Sequence, residues 1–284
     1  MKIREALLWG EKMIGNLNAS KESELILSFL LNKPKEFFYA HPEEKISPSK
    51  IKVFKKIVLQ RKKRIPLFYL IQKSYFWEWE FIIKKGIFIP RFETEIILEE
   101  VIKAIPQKRG KCFLDLGTGS GILAISLAKL FGGAEIFATD ISKKALTLAK
   151  ENAKKHLLKC RIRFFQGDLL KPVKNIFAAK KFVLVANLPY LRLSEWEKTM
   201  PEIKNFEPKR ALEGGKDGLK YFKKLFCQFH HYQIFPQKIF LEISPSLREG
   251  IKKLCQKFLK NYSFEIKKDL AGRERLLFLS KSNG

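Results

Sequence analysis

Four residues that follow a run of apolar side chains have the types needed for chemistry. Asn187, Leu188, Pro189 and Tyr190 come directly after "VLVA". The apolar run predicts a buried strand, so the four residues lie at its carboxyl end. The Asn187 side-chain oxygen can accept a hydrogen bond from an –NH2 group, and the Leu188 carbonyl can accept a second. Pro189 fixes the turn, and the Tyr190 ring offers a face to a flat group. This tip suits a planar amine or amide whose nitrogen faces an electrophile; the alternative is a turn that only closes a strand.

A second candidate site is the glycine-rich stretch "LDLGTGSGILAISLAKL". A predicted strand runs into Gly117, Gly119 and Gly121, and a predicted helix follows them. Glycines allow a sharp turn there and let a ligand approach the amides at the helix start. The G-x-G-x-G spacing differs from the G-x-G-x-x-G of dinucleotide-binding folds, and no P-loop motif is present. A nicotinamide cofactor is therefore disfavoured.

Two carboxylates end the next two predicted strands. Asp140 can accept both hydroxyls of a ribose, although a helix cap is the alternative because "DISKKALTLAKENA" follows. The glycine loop upstream favours the ribose. Asp168, in "QGDLL", can accept a hydrogen bond from an exocyclic amine such as that of adenine. Its alternative is a turn residue after Gly167.

The elements that position these residues alternate between short apolar runs and helical segments from about residue 95 onward. This alternation predicts an α/β fold with a mostly parallel sheet. The gap at 271–274 is too short for a crossover, so the last two runs form an antiparallel hairpin. The predicted strands are 112–117, 134–140, 161–168, 181–188, 238–243, 263–270 and 275–281.

The amino-terminal part has a different pattern. Apolar residues at helical spacing predict three helices within residues 1–66, the second capped by Ser20. Aromatic and β-branched residues at 67–94 predict a linker hairpin that turns at Lys84-Lys85-Gly86. The predicted domains are residues 1–66, 67–94 and 95–284.

The net charge of +27 suggests acidic partners, with nucleic acid first. The excess is spread along the chain and is mostly lysine, so a general compositional bias is an equal alternative to affinity for RNA. The four cysteines form no CxxC pair, which disfavours structural zinc and disulfides and favours reduced thiols in the cytoplasm. Charges interrupt every apolar run at the amino terminus, so we expect no signal peptide and no membrane association.

Taken together, these residues resemble the class I S-adenosylmethionine-dependent methyltransferases, and more narrowly the HemK/PrmC family of release factor glutamine methyltransferases. The resemblance implies a Rossmann-like class I methyltransferase fold with a small helical domain before it. The helical domain is expected to help grip a protein substrate. The segments that carry the resemblance are "ESELILSFLL", "PLFYLIQKSYFWEWEFIIKKGIFIPRFETE", "LDLGTGSGILAISLA", "FEPKRALEGGKDGL" and "DLAGRERLLFL".

The resemblance also implies roles for individual residues. The cofactor is S-adenosyl-L-methionine, and the substrate is the glutamine of the Gly-Gly-Gln motif in peptide chain release factors. Asp140 binds the ribose hydroxyls, and the tip residues hold the glutamine amide. Asn187, Pro189 and Tyr190 are the catalytic residues, no metal is needed, and a monomer is expected. The expected cofactor contacts are Asp115, Gly117, Thr118, Gly119, Ser120, Gly121, Asp140, Asp168, Leu169 and Asn187, and the expected substrate contacts are Asn187, Leu188, Pro189 and Tyr190.

Two positions depart from the family pattern. Leu188 replaces the first proline of Asn-Pro-Pro-Tyr, and Phe92 replaces the second proline of Pro-Arg-Pro before Glu-Thr-Glu. Asn-Leu-Pro-Tyr is familiar from rRNA adenine dimethylases, so methylation of adenine N6 in rRNA or DNA is the alternative function. In those enzymes, however, the cofactor loop lies near the amino terminus. A non-catalytic cofactor-binding or ribosome-associated protein is a third hypothesis, which the intact tip argues against.

Overall fold

The computed structural model describes residues 1–106 and 110–282, and the chain divides into two compact units. The first comprises residues 1–73 and 200–206, and the second comprises residues 74–199 and the chain from Glu207 onward. The division after Lys73 falls inside the predicted linker 67–94; the three-part division of the sequence stays a prediction.

Helices make up nearly all of the first unit and flank the strands of the second. The α-helices are α1 (Ile3–Ile14), α2 (Ala19–Leu31), α3 (Lys35–Ala40), α4 (Pro48–Lys62), α5 (Leu67–Ile71), α6 (Glu95–Ala104), α7 (Ile122–Leu130), α8 (Lys143–Lys155), α9 (Lys174–Phe177), α10 (Leu193–Glu197), α11 (Pro201–Phe206), α12 (Lys220–Tyr232) and α13 (Arg248–Phe258). The strands are β1 (Lys73–Phe76), β2 (Trp79–Ile82), β3 (Cys112–Leu116), β4 (Glu135–Asp140), β5 (Ile162–Gln166), β6 (Val183–Ala186), β7 (Lys238–Glu242), β8 (Tyr262–Lys268) and β9 (Glu274–Lys281).

The first unit packs around the apolar faces that the sequence predicted for its long helices. Phe54 and Val58 of α4 are buried against residues of α1 and α2. Helix α11 belongs to this unit although it comes late in the chain. The Arg61 guanidinium joins it to α2 by donating to Glu22 Oε2 at 2.7 Å and to Glu202 Oε1 at 3.0 Å.

Two local predictions about the amino-terminal part were wrong. Ser20 lies inside α2, and Asn18 occupies the cap position instead. The turn between β1 and β2 is Trp77-Glu78. Lys84-Lys85-Gly86 does form a turn, which the Ile87 amide closes by donating to the Lys84 carbonyl at 3.3 Å, but this turn follows β2. Trp77 adopts a left-handed conformation with φ of 55°, and its N–H donates to the Glu95 carboxylate at 2.5 Å. The short helices α3 and α5 were not predicted.

The second unit contains a seven-stranded sheet in the order β5-β4-β3-β6-β7-β9-β8. The first five strands are parallel, and β9 is antiparallel to both of its neighbours. This confirms the predicted α/β sheet with its carboxyl-terminal hairpin. Every residue of β3 is buried, as expected for a central parallel strand covered on both faces. Leu114 and Phe113 point into two separate apolar clusters on opposite faces of the sheet.

No helix in the described residues has the length and apolar character needed to cross a membrane. Within residues 1–106 and 110–282, no group of three His, Cys, Asp or Glu side chains is arranged to hold a metal ion.

Candidate active site

The candidate site forms where three neighbouring parallel strands end. Leu116, the last residue of β3, is paired with Thr139 on one side and with Ala186 on the other. The next residues, Asp140 and Asn187, therefore emerge beside the glycine loop. This is the position at which open α/β sheets bind ligands.

A cavity of about 360 Å³ opens at this edge of the sheet. The carboxyl ends of β3, β4, β5 and β6 supply the predicted cofactor and substrate residues that line this cavity. The predicted residues on its wall are Gly117, Asp140, Asp168, Leu169, Asn187, Leu188 and Pro189. Six other predicted residues are not on the wall: Asp115, Thr118, Gly119, Ser120, Gly121 and Tyr190.

The glycine loop is held against β4 by its own backbone. The amides of Gly117 and Thr118 both donate to the Thr139 carbonyl, at 2.8 and 2.9 Å. Gly121 is the N-cap residue before α7, with φ of 86°, and a Cβ added to it would lie 3.0 Å from the Ala149 Cβ. The glycine at 121 thus allows α7 to approach α8, which is a packing role.

Asp115 stabilises the loop from behind. Its Oδ2 atom accepts from the Thr118 hydroxyl at 2.6 Å and from the Ala124 amide at 3.1 Å. Burial raises the pKa of Asp115 to about 7, while the bonds from Thr118 and Ala124 act in the opposite direction. Asp115 is 1% exposed, so it fixes the shape of the loop from a position outside the cavity wall.

Asp140 is held rigidly at the cavity wall. Its two carboxylate oxygens accept from the backbone amides of Gly119, at 2.9 Å, and Ser142, at 2.7 Å. Burial raises its pKa, and these two amides partly offset that effect. The cap of α8 is Ser142, whose hydroxyl accepts from the Ala145 amide. The capping alternative for Asp140 is therefore wrong, and the remaining lone pairs of its carboxylate can face a ligand.

Asp168 is a turn residue on the cavity wall, and its role as an acceptor for an adenine amine stays a prediction. It lines the cavity, and its carbonyl accepts from the Lys171 amide at 3.1 Å, which closes a turn. Its carboxylate pairs with Lys224 of α12 at 2.5 Å. Leu169 follows with φ of 50°, and its carbonyl accepts from the Thr139 hydroxyl at 3.1 Å.

The Asn187–Tyr190 tip is anchored by two side-chain hydrogen bonds. The Asn187 Nδ2 atom donates to the Thr94 hydroxyl at 2.9 Å. The Tyr190 hydroxyl donates to Glu242 Oε1 at 2.8 Å. Burial and the Glu242 carboxylate raise the pKa of Tyr190 well above its usual range, so the phenol stays protonated. Leu188 is 2% exposed and packs in the apolar core while also lining the cavity.

The segment "EGGKDG" packs behind the tip, backbone against backbone. The Gly214 amide donates to the Leu191 carbonyl at 2.8 Å. A Cβ at Gly214 would lie 2.7 Å from the Pro189 carbonyl oxygen, and one at Gly218 would lie 2.5 Å from that of Tyr190. Side chains at these two positions would displace the tip.

Comparison with known proteins places this chain in a family. A family model for a methyltransferase domain matches residues 107–213, and one for the PrmC N-terminal domain matches residues 5–71. The release factor glutamine methyltransferase of Dictyoglomus turgidum is 35% identical over 280 residues, which cover 97% of each chain. That of Thermodesulfovibrio yellowstonii is 34% identical over 271 residues, which cover 94% of each chain.

The chain belongs to the release factor glutamine methyltransferase family. The family resemblance of the sequence is thereby confirmed. Among solved structures, the hMettl16 catalytic domain in complex with MAT2A 3'UTR hairpin 1 is similar with a TM-score of 0.54. It is 13% identical, and the match covers 90% of each chain. At that identity the likeness concerns the fold alone, which is that of class I methyltransferases.

Two segments that marked the release factor glutamine methyltransferase family in the sequence meet in the structure. Glu207, in "FEPKRALEGGKDGL", is buried and accepts from the Ile89 amide at 3.2 Å. It also forms an ion pair with Arg91, three residues before Thr94. The segment that follows β6 is thus attached to the segment that supplies Thr94.

Sequence reasoning missed several residues of the site. Thr94 lies in the family segment "RFETE" but was given no role. Glu242 is a charged residue at the end of the apolar run "KIFLE", and a charge at the end of a buried strand was a usable signal. Arg210 lines the cavity and lowers the pKa of Asp140. No local pattern distinguishes Arg210 or Lys224 from the many other basic residues.

Proposed function

We propose that this chain transfers a methyl group from S-adenosyl-L-methionine to the side-chain amide nitrogen of the glutamine in the Gly-Gly-Gln motif of peptide chain release factors. The observation that carries the proposal is the anchored Asn187 amide. Because its nitrogen is engaged by Thr94, its oxygen is left as an acceptor at the cavity wall. An acceptor at this point can hold the –NH2 group of a glutamine amide.

The cavity fits the nucleoside part of the proposed cofactor. Asp140, fixed by two backbone amides, presents acceptors for ribose hydroxyls, and Asp168 presents one for an adenine amine. Leu169 and Tyr221 supply apolar surface for a flat base on the same wall. When bound, S-adenosylmethionine supplies a methyl group that its sulfonium has already activated. We assign Gly117 to the loop that borders the cofactor, and we assign Asp115, Thr118, Gly119, Ser120 and Gly121 to its support.

The tip has two tasks, because an amide nitrogen is a weak nucleophile. The Asn187 oxygen and the Leu188 carbonyl would accept the two amide hydrogens and so turn the nitrogen toward the methyl group. The same acceptors stabilise positive charge that grows on the nitrogen during transfer. Pro189 restricts the backbone next to the Leu188 carbonyl and so helps to fix its direction. Tyr190 is held in place by its hydrogen bond to Glu242. The amide proton can leave to water after transfer, so no strong base is required.

Methylation of adenine N6 in rRNA or DNA is not favoured. The chain matches release factor glutamine methyltransferases over nearly its whole length, with both the helical unit and the methyltransferase unit included. Leu188 removes one fixed φ angle relative to the family tip but keeps the carbonyl oxygen that the mechanism needs.

The remaining proposals concern partners. We propose that the helical first unit helps to bind the release factor. We expect the protein to be a monomer that acts in the cytoplasm. The diffuse lysine excess would give weak, nonspecific contact with RNA or the ribosome, with a strong dependence on salt.

The test is to incubate the protein with labelled cofactor and a purified release factor, and to locate the label by peptide mass spectrometry. Replacing the Gly-Gly-Gln glutamine of the factor should abolish labelling, and Asn187→Ala should abolish it while the circular dichroism spectrum is kept. Full activity of Asn187→Ala would refute the assigned mechanism. Label in rRNA but not in the factor would support the adenine alternative. Tight cofactor binding without any labelled acceptor would support a non-catalytic protein.

A further inference from the structure

We propose that a second cavity, at the opposite edge of the sheet from the candidate active site, binds a nucleotide, either free or as one residue of a single-stranded RNA. The second cavity has a volume of about 530 Å³ and lies where α12 and α13 end. Lys281, at the end of β9, is on its wall, and Ser280 beside it is paired with Lys238 at the start of β7. The candidate active site opens at the other ends of the parallel strands, and the two cavities share no residue.

The wall of the second cavity is strongly basic. Lys257, Lys260 and Lys281 line it and are all exposed, and no aspartate or glutamate is among the described residues that line it. None of the three ammonium groups forms an ion pair with a described residue. A lysine in the last turn of a helix offsets the partial negative charge there, which explains Lys257 of α13. Lys281 ends a strand and has no such explanation, so the concentration of unpaired positive charge favours an anion as the ligand.

Two phenylalanine rings stand beside the lysines. Phe235 and Phe258 line the second cavity and are half-buried against the apolar core. The Lys281 ammonium lies 5.8 Å from the centre of the Phe235 ring, and the Lys257 ammonium lies 5.4 Å from that of Phe258. An exposed ammonium is held less strongly by a ring than by a phosphate. A phosphate can therefore draw both ammonium groups away and leave a ring face for a flat base.

Hydrogen bonds hold this wall in shape. The Tyr262 hydroxyl donates to the Pro236 carbonyl at 2.5 Å, which ties the start of β8 to the loop before β7. The His230 Nε2 atom lies 2.6 Å from the Phe258 carbonyl and donates to it, because a carbonyl can only accept. This second bond ties the end of α12 to the end of α13. The Asn261 side chain is exposed on the same wall, and its amide can pair with the edge of a base.

A nucleotide matches these groups better than an acidic protein segment does. Its phosphate pairs with lysine and its base stacks on an aromatic ring, which is the combination by which proteins bind single-stranded nucleic acids. An aspartate or glutamate side chain has no flat ring to stack on the phenylalanines. The volume of about 530 Å³ also exceeds the 360 Å³ of the cavity assigned to the nucleoside part of the cofactor. The diffuse charge of the chain does not explain why two rings lie beside the lysines.

The test measures binding of a fluorescein-labelled, single-stranded oligoadenylate of about ten nucleotides by fluorescence anisotropy, at about 0.15 M salt. The double variant Lys257→Gln/Lys281→Gln removes two phosphate partners and should weaken binding by at least about tenfold. It should also reduce the dependence of log K on log salt concentration by about 1.4, since each phosphate contact on a single strand contributes about 0.7. Lys52→Gln/Lys56→Gln is the matched control, because it removes the same charge from the exposed surface of α4. The control should weaken binding less than about twofold.

A third variant separates a nucleotide from a simple anion. Phe258→Leu keeps an apolar side chain but removes the ring, so it should weaken oligoadenylate binding about tenfold and leave the salt dependence unchanged. Adenosine monophosphate should displace the labelled strand, and inorganic phosphate at the same concentration should not. Displacement at a concentration near the dissociation constant of the strand would identify a free nucleotide as the ligand, whereas a need for about a hundredfold more would identify RNA. The melting temperature of each variant is measured alongside, so that a loss of fold is recognised.

Four results would overturn the inference. The wild type could fail to bind the strand, or the two lysine pairs could weaken binding equally, which would leave only diffuse charge. Inorganic phosphate could compete as well as adenosine monophosphate, which would indicate a site for simple anions. Polyglutamate could bind as tightly as the strand and depend on Phe258 to the same degree, which would indicate an acidic protein as the partner. None of these measurements involves methyl transfer, so the proposed function is tested separately.

Discussion

Replacing Gly214 by alanine should damage catalysis without unfolding the protein or closing the cofactor cavity. The added Cβ would lie 2.7 Å from the Pro189 carbonyl oxygen and 2.9 Å from the Tyr190 Cα. Its third neighbour is the Gly218 carbonyl oxygen, also at 2.7 Å. All three are backbone atoms, so the clash cannot be relieved by rotating a side chain. The φ angle of Gly214 is outside the positive range, so the effect is steric only.

The size of the effect follows from the displacement. An ordinary Cβ contact begins near 3.4 Å, so the Pro189 carbonyl must move by about 0.7 Å from its distance of 2.7 Å. Positioning errors near 1 Å can lower rates by about a hundredfold. We therefore expect kcat for release factor methylation to fall by roughly tenfold to a hundredfold. The cofactor dissociation constant should change by less than about threefold, because Asp140 and the glycine loop are untouched.

Gly132→Ala is the matched control. A Cβ at Gly132 meets no atom within 4 Å, and its φ is also outside the positive range. This variant should keep wild-type kcat, and both variants should retain the cooperative thermal transition. The assay is transfer of labelled methyl to a purified release factor, with cofactor binding measured by calorimetry. If Gly214→Ala were folded and as active as Gly132→Ala, the tip would tolerate movement, and the reasoning about its geometry would be refuted.

Three other predictions test separate parts of the structure. The pKa of Asp115 is raised from 3.8 to about 7, so the native state keeps a proton that the unfolded chain has released. The free energy of unfolding should therefore fall by roughly 2–3 kcal/mol more than that of Asp115→Asn between about pH 5 and about pH 8. If urea unfolding gave the same pH dependence for both proteins, the prediction would be contradicted. Leu188→Ala removes a side chain that is 2% exposed and should lower the free energy of unfolding by about 2–4 kcal/mol. Leu8, at 65% exposure, is the control, and Leu8→Ala should lower it by under about 0.5 kcal/mol. Equal losses in thermal unfolding would contradict the prediction. Phe92 is 67% exposed and lies two residues before Thr94. Phe92→Ala should therefore raise KM for the release factor about fivefold with kcat nearly unchanged, while Leu270→Ala, the control, should leave KM unchanged. An unaltered KM in Phe92→Ala would show that Phe92 is not part of the surface that binds the release factor.

The strands and the site edge were predictable because their signals are local. Each strand of the parallel sheet is a short apolar run, and parallel strands bring their carboxyl ends to one edge. Asp140, Asp168 and Asn187 each follow such a run, so their approach to one cavity could be inferred without coordinates. The antiparallel β8–β9 hairpin was also predictable from a local signal, because the gap at 271–274 is too short for a parallel crossover.

The contacts that orient the site were not predictable, because they join distant parts of the chain. Thr94 and Asn187 are 93 residues apart, and nothing in either segment specifies the other. The hairpin turn was misassigned for a different reason. Lys84-Lys85-Gly86 has the composition of a turn, whereas Trp77 takes a left-handed conformation that its residue type does not signal. Its N–H bond to Glu95, supplied from beyond the hairpin, helps stabilise that conformation.

Leu188 shows how the tip can dispense with the first proline of the family pattern. A proline restricts the backbone by its ring, whereas Leu188 is restricted by burial of its side chain in the apolar core. A Cβ on Gly117 would be 3.5 Å from the Leu188 side chain, so the glycine loop and the tip are already near contact. The hydrogen bond to Thr94 holds the tip from one side, and the close backbone of Gly214 blocks it from another. With three independent constraints on the same few residues, the direction of the Leu188 carbonyl does not depend on a fixed φ angle. The substitution is therefore compatible with a glutamine amide as substrate, and leucine at this position does not by itself indicate a nucleic-acid base.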